Sequence, residues 1–481
     1  MLLSLTSIPT TFWQWSWVFG GATLLIAGAA LVHVLLHKKD PRSAAYWVAL
    51  VALVPLVGAA AYVLLGINTI RRKGKDYREG IERLGVDGLG AEQVLPDVDE
   101  HFGLAHTLDR ISRYAFARGN QISILRNGDE AMGPMLDAIQ EAKTSISLAT
   151  YIFEAKGIGE EFVKRLGDAV ERGVEVRVII DDAGTRYAWP PVARLLRARG
   201  VSVQHFMPLT KVMRLATMNL RNHRKILVVD GCLGFTGGMN IREGNMLSRN
   251  PSHPVRDLHF KVVGPVVAQM QRVFAEDWSF CSGEELEGEK WFPALESCGR
   301  TSACGIPDGP DEDMEAMPVA FVAALGAAKT EVKILTPYFL PNPTLIWALN
   351  LCVFRGVKVT IITPAKNNIP PVAWAARTLY PELIRGGCEI WESPAPFDHS
   401  KIFLVDGVWS FLGSTNWDPR SLRLNFEFNL ACYDPELGTR LACEFDQKKS
   451  ESRRVMLEDL AADPLSIRLR NGFARLFIPL L

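Results

Sequence analysis

Two short runs in this chain set a histidine, a lysine, an aspartate and an asparagine at the same spacing. The first, NHRKILVVDGCLGFTGGMN, carries His223, Lys225, Asp230 and Asn240. The second, DHSKIFLVDGVWSFLGSTN, carries His399, Lys401, Asp406 and Asn416. Gly237 and Gly238 precede the first Asn, and Gly413 and Ser414 the second. A single His-x-Lys pair on a strand is ordinarily structural. Two with matching Asp, Gly and Asn offsets are not accidental.

The residue types suit phosphoryl chemistry. An imidazole can attack an electrophile or move a proton, and a neighbouring ammonium can neutralise a non-bridging phosphate oxygen. An Asn on a Gly-flanked bend adds neutral donors to the same oxygens. Phosphodiester exchange needs two histidines in opposite states, one neutral to attack phosphorus and one protonated to release the alcohol. Two converging halves supply that pair without a metal or other cofactor. KILVVD and KIFLVD are apolar and β-branched, so strands are predicted. On a strand, positions i and i+2 share a face, which sets each His beside its Lys. Asp230 and Asp406 have the other parity and fall at strand ends, where they are expected to hold the turn or counter a Lys. Further on, RDLHFKVVGP and NFEFNLACYDP place Asp257 and Glu427 eight residues before a proline. Each carboxylate is expected to orient the His of its own half through Nδ1. The alternative for both is an ordinary salt bridge.

These motifs sit in a duplication. AKTSISLATYIF (142–153) parallels AKTEVKILTPYF (328–339), and ERGVEVRVIIDD (171–182) parallels FRGVKVTIITPA (354–365). Each pair reads as a helix end, a Gly-containing turn and a buried strand, the rhythm of an α/β sheet. The predicted organisation is two pseudo-symmetric α/β repeats, 120–282 and 318–450, making one active site. A polar connector (80–119) precedes them, a Gly-, Pro- and acid-rich linker (283–317) separates them, and a basic amphipathic tail (451–481) follows.

Ahead of these lie two apolar stretches, 18–36 and 44–67, each long enough to span a bilayer. A membrane hairpin over 1–79 is expected. Trp13, Trp15 and Trp17 form an interfacial belt before it, and Arg71, Arg72, Lys73, Lys75 and Arg78 follow it, which favours a cytoplasmic body. Overall, 53 Lys+Arg balance 53 Asp+Glu, so composition points to no polyanion partner. Locally, no acid occurs between Asp182 and Asp230, while Arg186, Arg194, Arg197, Arg199, Lys211, Arg214, Arg221, Arg224 and Lys225 do. Such a field suits a phosphate-bearing substrate or an anionic membrane, or is a solvated face. Residues 207–225 are expected at the membrane interface beside the donor entrance. Eight cysteines without zinc spacing read as reduced structural thiols.

At these motifs the chain resembles the phospholipase D superfamily, in its bacterial cardiolipin-synthase-like branch. The likeness extends through KDPRSAAYW, FTGGMNI, TPYFLP and DPRSLRLNFE, nearly the whole chain. It implies condensation of two phosphatidylglycerol molecules into cardiolipin with release of glycerol, at the bacterial inner membrane. It also implies a phosphohistidine intermediate, with His223 as nucleophile, His399 as general acid and then base, and Lys225, Lys401, Asn240 and Asn416 on the phosphate. Anionic lipids are the other expected partner, nucleic acid is not, and the oligomeric state stays open. A membrane-bound phospholipase D using water or another alcohol is the alternative. Asp398 and Asn342 depart from the family's usual residues.

Overall fold

The computed structural model describes residues 10–38, 41–66, 101–187, 190–207, 221–309 and 316–478. They form an N-terminal apolar unit and a larger body. In the first, one helix, Thr10–His37, contains the stretch Val18–His37, which is long and apolar enough to cross a membrane. Its residues Val18, Phe19, Leu24, Leu25, Leu35 and Leu36 face outward, while Ala27, Ala30 and Val34 pack against Val51, Ala59 and Tyr62. The second apolar stretch is divided. A helix Pro41–Leu53 stops before Val54, a helix Pro55–Ala61 begins after it, and a π-helical turn spans Tyr62–Gly66. Pro55 disfavours helical geometry at the residue before it, and Val54 has φ −134° and ψ 75°.

In the body the apolar runs among the described residues form a sixteen-stranded sheet and a separate two-stranded one. The strands in chain order are β1 (Ala117–Arg126), β2 (Ser145–Thr150), β3 (Glu175–Asp181), β4 (Ser202–Phe206), β5 (Arg221–Asn222), β6 (Ile226–Val229), β7 (Leu233–Gly237), β8 (Val255–Arg256) and β9 (Leu258–Val263). The series continues with β10 (Thr301–Asp308), β11 (Glu331–Leu335), β12 (Lys358–Pro364), β13 (Glu389–Ser393), β14 (Phe397–Asp398), β15 (Ile402–Val405), β16 (Trp409–Gly413), β17 (Asn425–Tyr433) and β18 (Arg453–Arg454). β2, β3 and β4 pair in parallel, as do β11, β12 and β13. The hairpins β6–β7 and β15–β16 add antiparallel strands to β2 and β11. β9 and β17 follow, and the halves meet where β1 pairs β10. The two repeats therefore share one sheet.

The helices Asn127–Glu141 and Ile158–Glu171 bury Met132, Ile139, Phe162 and Leu166 against Val176, Val178 and Leu227. The predicted Gly turns are present, since Gly173 and Gly356 both have φ +88°.

Three segments differ from the sequence expectation. The stretch 283–317 is more than a linker, because β10 within it is fully buried between β17 and β1. Its residues TSACGIPD carry the Gly and Pro that read as loop, yet small residues are what this crowded position accepts. Gly305 already lies close to the Phe428 ring. The connector ends in a helix, Phe102–Ile111, and the start of β1, which lies on β10; its earlier part, 80–100, lies outside the described residues. In the tail, β18 pairs β13 and the helix Leu465–Arg475 packs on the helix Pro370–Arg377, so this segment belongs to the body. All eight cysteines are free thiols.

Candidate active site

The shortest strands position the site. β5 runs parallel to the start of β17 in the other half, and His223, one residue beyond β5, donates its backbone N–H to the Phe426 carbonyl at 2.8 Å. β14 runs parallel to β8, and His399 donates to the Arg256 carbonyl at 2.7 Å. These two-residue pairings bring each histidine beside the carboxylate of the opposite repeat. His223 Nδ1 lies 3.0 Å from a Glu427 oxygen, and His399 Nδ1 lies 2.8 Å from Asp257. The expectation that each carboxylate serves its own half is thus corrected: the pairing is crossed. A carboxylate can only accept, so the His223 proton sits on Nδ1 and the Nε2 lone pair is left for chemistry.

Both His-x-Lys pairs lie just ahead of their strands β6 and β15 and not on them. The lysines still fold back beside their histidines. Lys225 Nζ donates to the His223 carbonyl at 2.7 Å and Lys401 Nζ to that of His399 at 2.5 Å. The second ammonium also lies 3.1 and 3.2 Å from the two ring nitrogens of His399.

Both histidines line one cavity of about 1150 Å³, together with Asn240, Asn416, Asp257, Tyr151 and Tyr338. Asn240 accepts from the Ile152 N–H, and Asn416 donates to Ser421. Asp230 and Asp406 sit elsewhere. Each takes a left-handed φ, 49° and 53°, at the hairpin turn after its strand. Asp230 accepts from the backbone of Lys143, Thr144 and Ser145, and Asp406 from that of Lys329, Thr330 and Glu331. They anchor the starts of β2 and β11, and neither lines the cavity.

A family model described as "Cardiolipin synthase, PLD-like domain" matches residues 135–278 and 321–449. This chain belongs to that family. A second model, "Phospholipase_D-nuclease N-terminal", matches residues 25–66. The cardiolipin synthase of Oceanobacillus iheyensis is 30% identical over 477 residues, covering 97% of this chain and 99% of that protein. The major cardiolipin synthase ClsA of Bacillus subtilis is 28% identical over 467 residues, covering 94% and 96%. Among solved structures, the phosphatidylserine synthase of Haemophilus influenzae shares the fold. Its TM-score is 0.60 at 16% identity, covering 79% of this chain and all of that one.

Burial dominates the electrostatics. It pushes Lys225 down to about 7 and Lys401 down to about 8. It also lowers both imidazoles, His399 the more strongly, with Lys401 and Lys225 adding to the effect there. Burial pushes Asp257 up to about 7, against the pull of Lys401. Glu427 feels the same burial, but His223 and Lys225 outweigh it and hold the carboxyl below its usual value. Neither ammonium is among the residues that line the cavity, but each lies against a histidine that is, where a phosphodiester anion would counter its charge.

The two motifs rest on different supports. Behind His223, the buried Arg224 donates to Asp277 at 2.5 Å and to the carbonyls of Glu427 and Asp308 at 3.0 and 3.3 Å. Behind His399, Ser400 replaces that arginine, and the anion is Asp398, paired with Lys448. The unusual Asp398 is therefore a buried carboxylate balanced by a partly buried lysine, and it does not line the cavity. Asn342 caps the helix Pro343–Phe354 by accepting from the Leu345 N–H.

The basic field between 182 and 230 is not one surface. Arg224 and Lys225 are buried, Arg221 lines the cavity, Arg199 pairs Asp168, and Arg197 donates to the Val203 carbonyl. Most of the expected interfacial stretch 207–225, residues 208–220, lies outside the described residues.

Sequence reasoning missed several cavity residues. Tyr151 and Tyr338 present ring edges to His223 and His399, at centroid distances of 5.4 and 6.1 Å. They do not hold equivalent places: the duplication sets Tyr151 opposite Pro337 and Tyr338 opposite Ile152, so it gave no signal for either ring. Arg242 and Lys366 also line the cavity. Arg242 corresponds to Asp418 in the other repeat, so duplication gives no signal there either.

Proposed function

We propose that this chain transfers a phosphatidyl group from one phosphatidylglycerol molecule to another, giving cardiolipin and glycerol. The observation that carries the reading is a pair of imidazoles, one from each repeat, facing one cavity with each Nδ1 held by the opposite repeat's carboxylate. Full-length similarity to cardiolipin synthases supports the product.

In this reading His223 Nε2 attacks the donor phosphorus. The bond to the glycerol oxygen breaks, and His399 supplies the proton that lets glycerol leave. The phosphatidyl group is then bound to His223. A hydroxyl of the second phosphatidylglycerol loses its proton to His399 and attacks the same phosphorus, which frees His223. Lys225, Lys401, Asn240 and Asn416 hold the non-bridging oxygens, and Glu427 and Asp257 fix the two rings. The N-terminal apolar segments anchor the enzyme in the bacterial inner membrane as two spans, with the body in the cytoplasm. The apolar outward face of the helix Thr10–His37 supports the anchoring.

Purified protein supplied with phosphatidylglycerol should produce cardiolipin and glycerol in equal amounts, measured by lipid mass spectrometry. Phosphatidic acid as the main product would replace the reading with a hydrolase. His223→Ala and His399→Ala should each lower turnover at least about 10³-fold. Acid-quenched His399→Ala should retain a phosphatidyl adduct on His223, and an adduct found only on His399 would reverse the two roles.

A further inference from the structure

The helix Leu465–Arg475 turns an apolar face away from the protein. Asn471 and Ala474 are buried on its inner side. Leu465, Leu469, Phe473 and Leu476 are 68%, 65%, 64% and 73% exposed, and Phe477 meets Phe473 edge to face. Their spacing puts them on one stripe of a helix. Arg468 and Arg475 flank the stripe on one side. On the other, Arg470 lies over the Trp374 ring at 4.5 Å. No acid occurs after Asp463.

Its position matters as much as its chemistry. The helix packs on Pro370–Arg377, whose start contributes Val372, with the adjacent Ile369, to the lining of the catalytic cavity. Arg377 bonds Asp463 at 2.8 Å and pins the segment there. The helix thus stands one helix removed from the wall of the cavity that a lipid headgroup would enter.

We propose that this helix lies in the interface of an anionic bilayer and holds the catalytic body against it. Apolar side chains bordered by arginines suit the boundary between acyl chains and phosphates. A two-fold contact between copies would bring Arg468 and Arg475 towards their own counterparts, whereas anionic phospholipid neutralises them. The inference rests on the phosphatidyl-transfer reading for its purpose, since a two-chain lipid must present its headgroup without leaving the membrane.

The full-length protein carrying a benzophenone amino acid at position 473, irradiated in phosphatidylglycerol bilayers, should give a phospholipid adduct on that peptide. A crosslink to protein, or no adduct, would overturn the proposal. The double variant Leu469→Glu/Phe473→Glu should form cardiolipin about tenfold more slowly from long-chain bilayers. Its rate on dispersed short-chain phosphatidylglycerol should be unchanged, which also shows that it is folded. Equal rates for variant and parent on bilayers would overturn the proposal too. If neither protein makes cardiolipin from either substrate, the functional reading fails, while the adduct still decides the position of the helix.

Discussion

A Cβ added at Gly238 would stand 2.4 Å from the Asp257 carboxylate. The equivalent residue of the second repeat is Ser414, whose hydroxyl helps hold Glu427 as a charged carboxylate. The shorter Asp257 leaves no such room. Gly238→Ala should therefore displace Asp257 from His399 and lower turnover by about 10²-fold, with little change in melting temperature. Steady-state rates beside thermal unfolding check this. The same residues set the pH response of kcat/KM, which reports the free enzyme. His223 must be neutral, and its lowered pKa keeps it so until the pH falls below the usual histidine range. The lysines must be charged, and at about 7 and 8 they lose their protons as the pH rises. His399 must carry the proton that releases glycerol, and burial with the two lysines holds its pKa well below the usual histidine range. Activity should therefore begin to fall below that range as pH rises, and fall again as the lysines lose their protons. Lys401→Arg, if active, should move only the second fall upward, because guanidinium does not titrate there.

At the scale of elements, the aspartates that complete each motif are fasteners between strands. Asp406 feels burial, which raises its pKa, but His101 and three backbone N–H groups outweigh this and hold it well below the carboxylate range. A lowered folded value means stabilisation present above the unfolded pKa of about 4 and lost as pH falls further. Asp406→Asn should cost about 1–3 kcal/mol in denaturant unfolding at neutral pH. It should flatten the decline below pH 4 and spare turnover while the protein stays folded; lost turnover in folded protein would make the residue catalytic. The parity of Asp230 and Asp406 on their runs had already set them apart from the histidines. The duplication likewise exposed the parallel strands and the hairpins, because long β-branched runs need no outside partner to be read. β5, β8 and β14 escaped, since a two-residue strand has no period. With them went the crossed pairing of Asp257 and Glu427, which depends on a contact between repeats that neither repeat encodes alone. β10 was hidden by its Gly and Pro, and Asp398 by a lysine fifty residues later.

For the molecule as a whole, one sheet and two crossings leave no boundary at which the body can be cut. Heating should unfold the repeats in a single calorimetric transition, and separate transitions for each would contradict the shared sheet. The reciprocal loan of carboxylates has a further consequence. A free-standing copy of either repeat would own a reactive ring yet lack the group that steers it, and could recover that group only from a twin related by a two-fold axis. Joining the twins in one polypeptide removes the dependence on concentration. It also frees the symmetry to drift, as Arg224 with Asp277 on one side and Asp398 with Lys448 on the other already record.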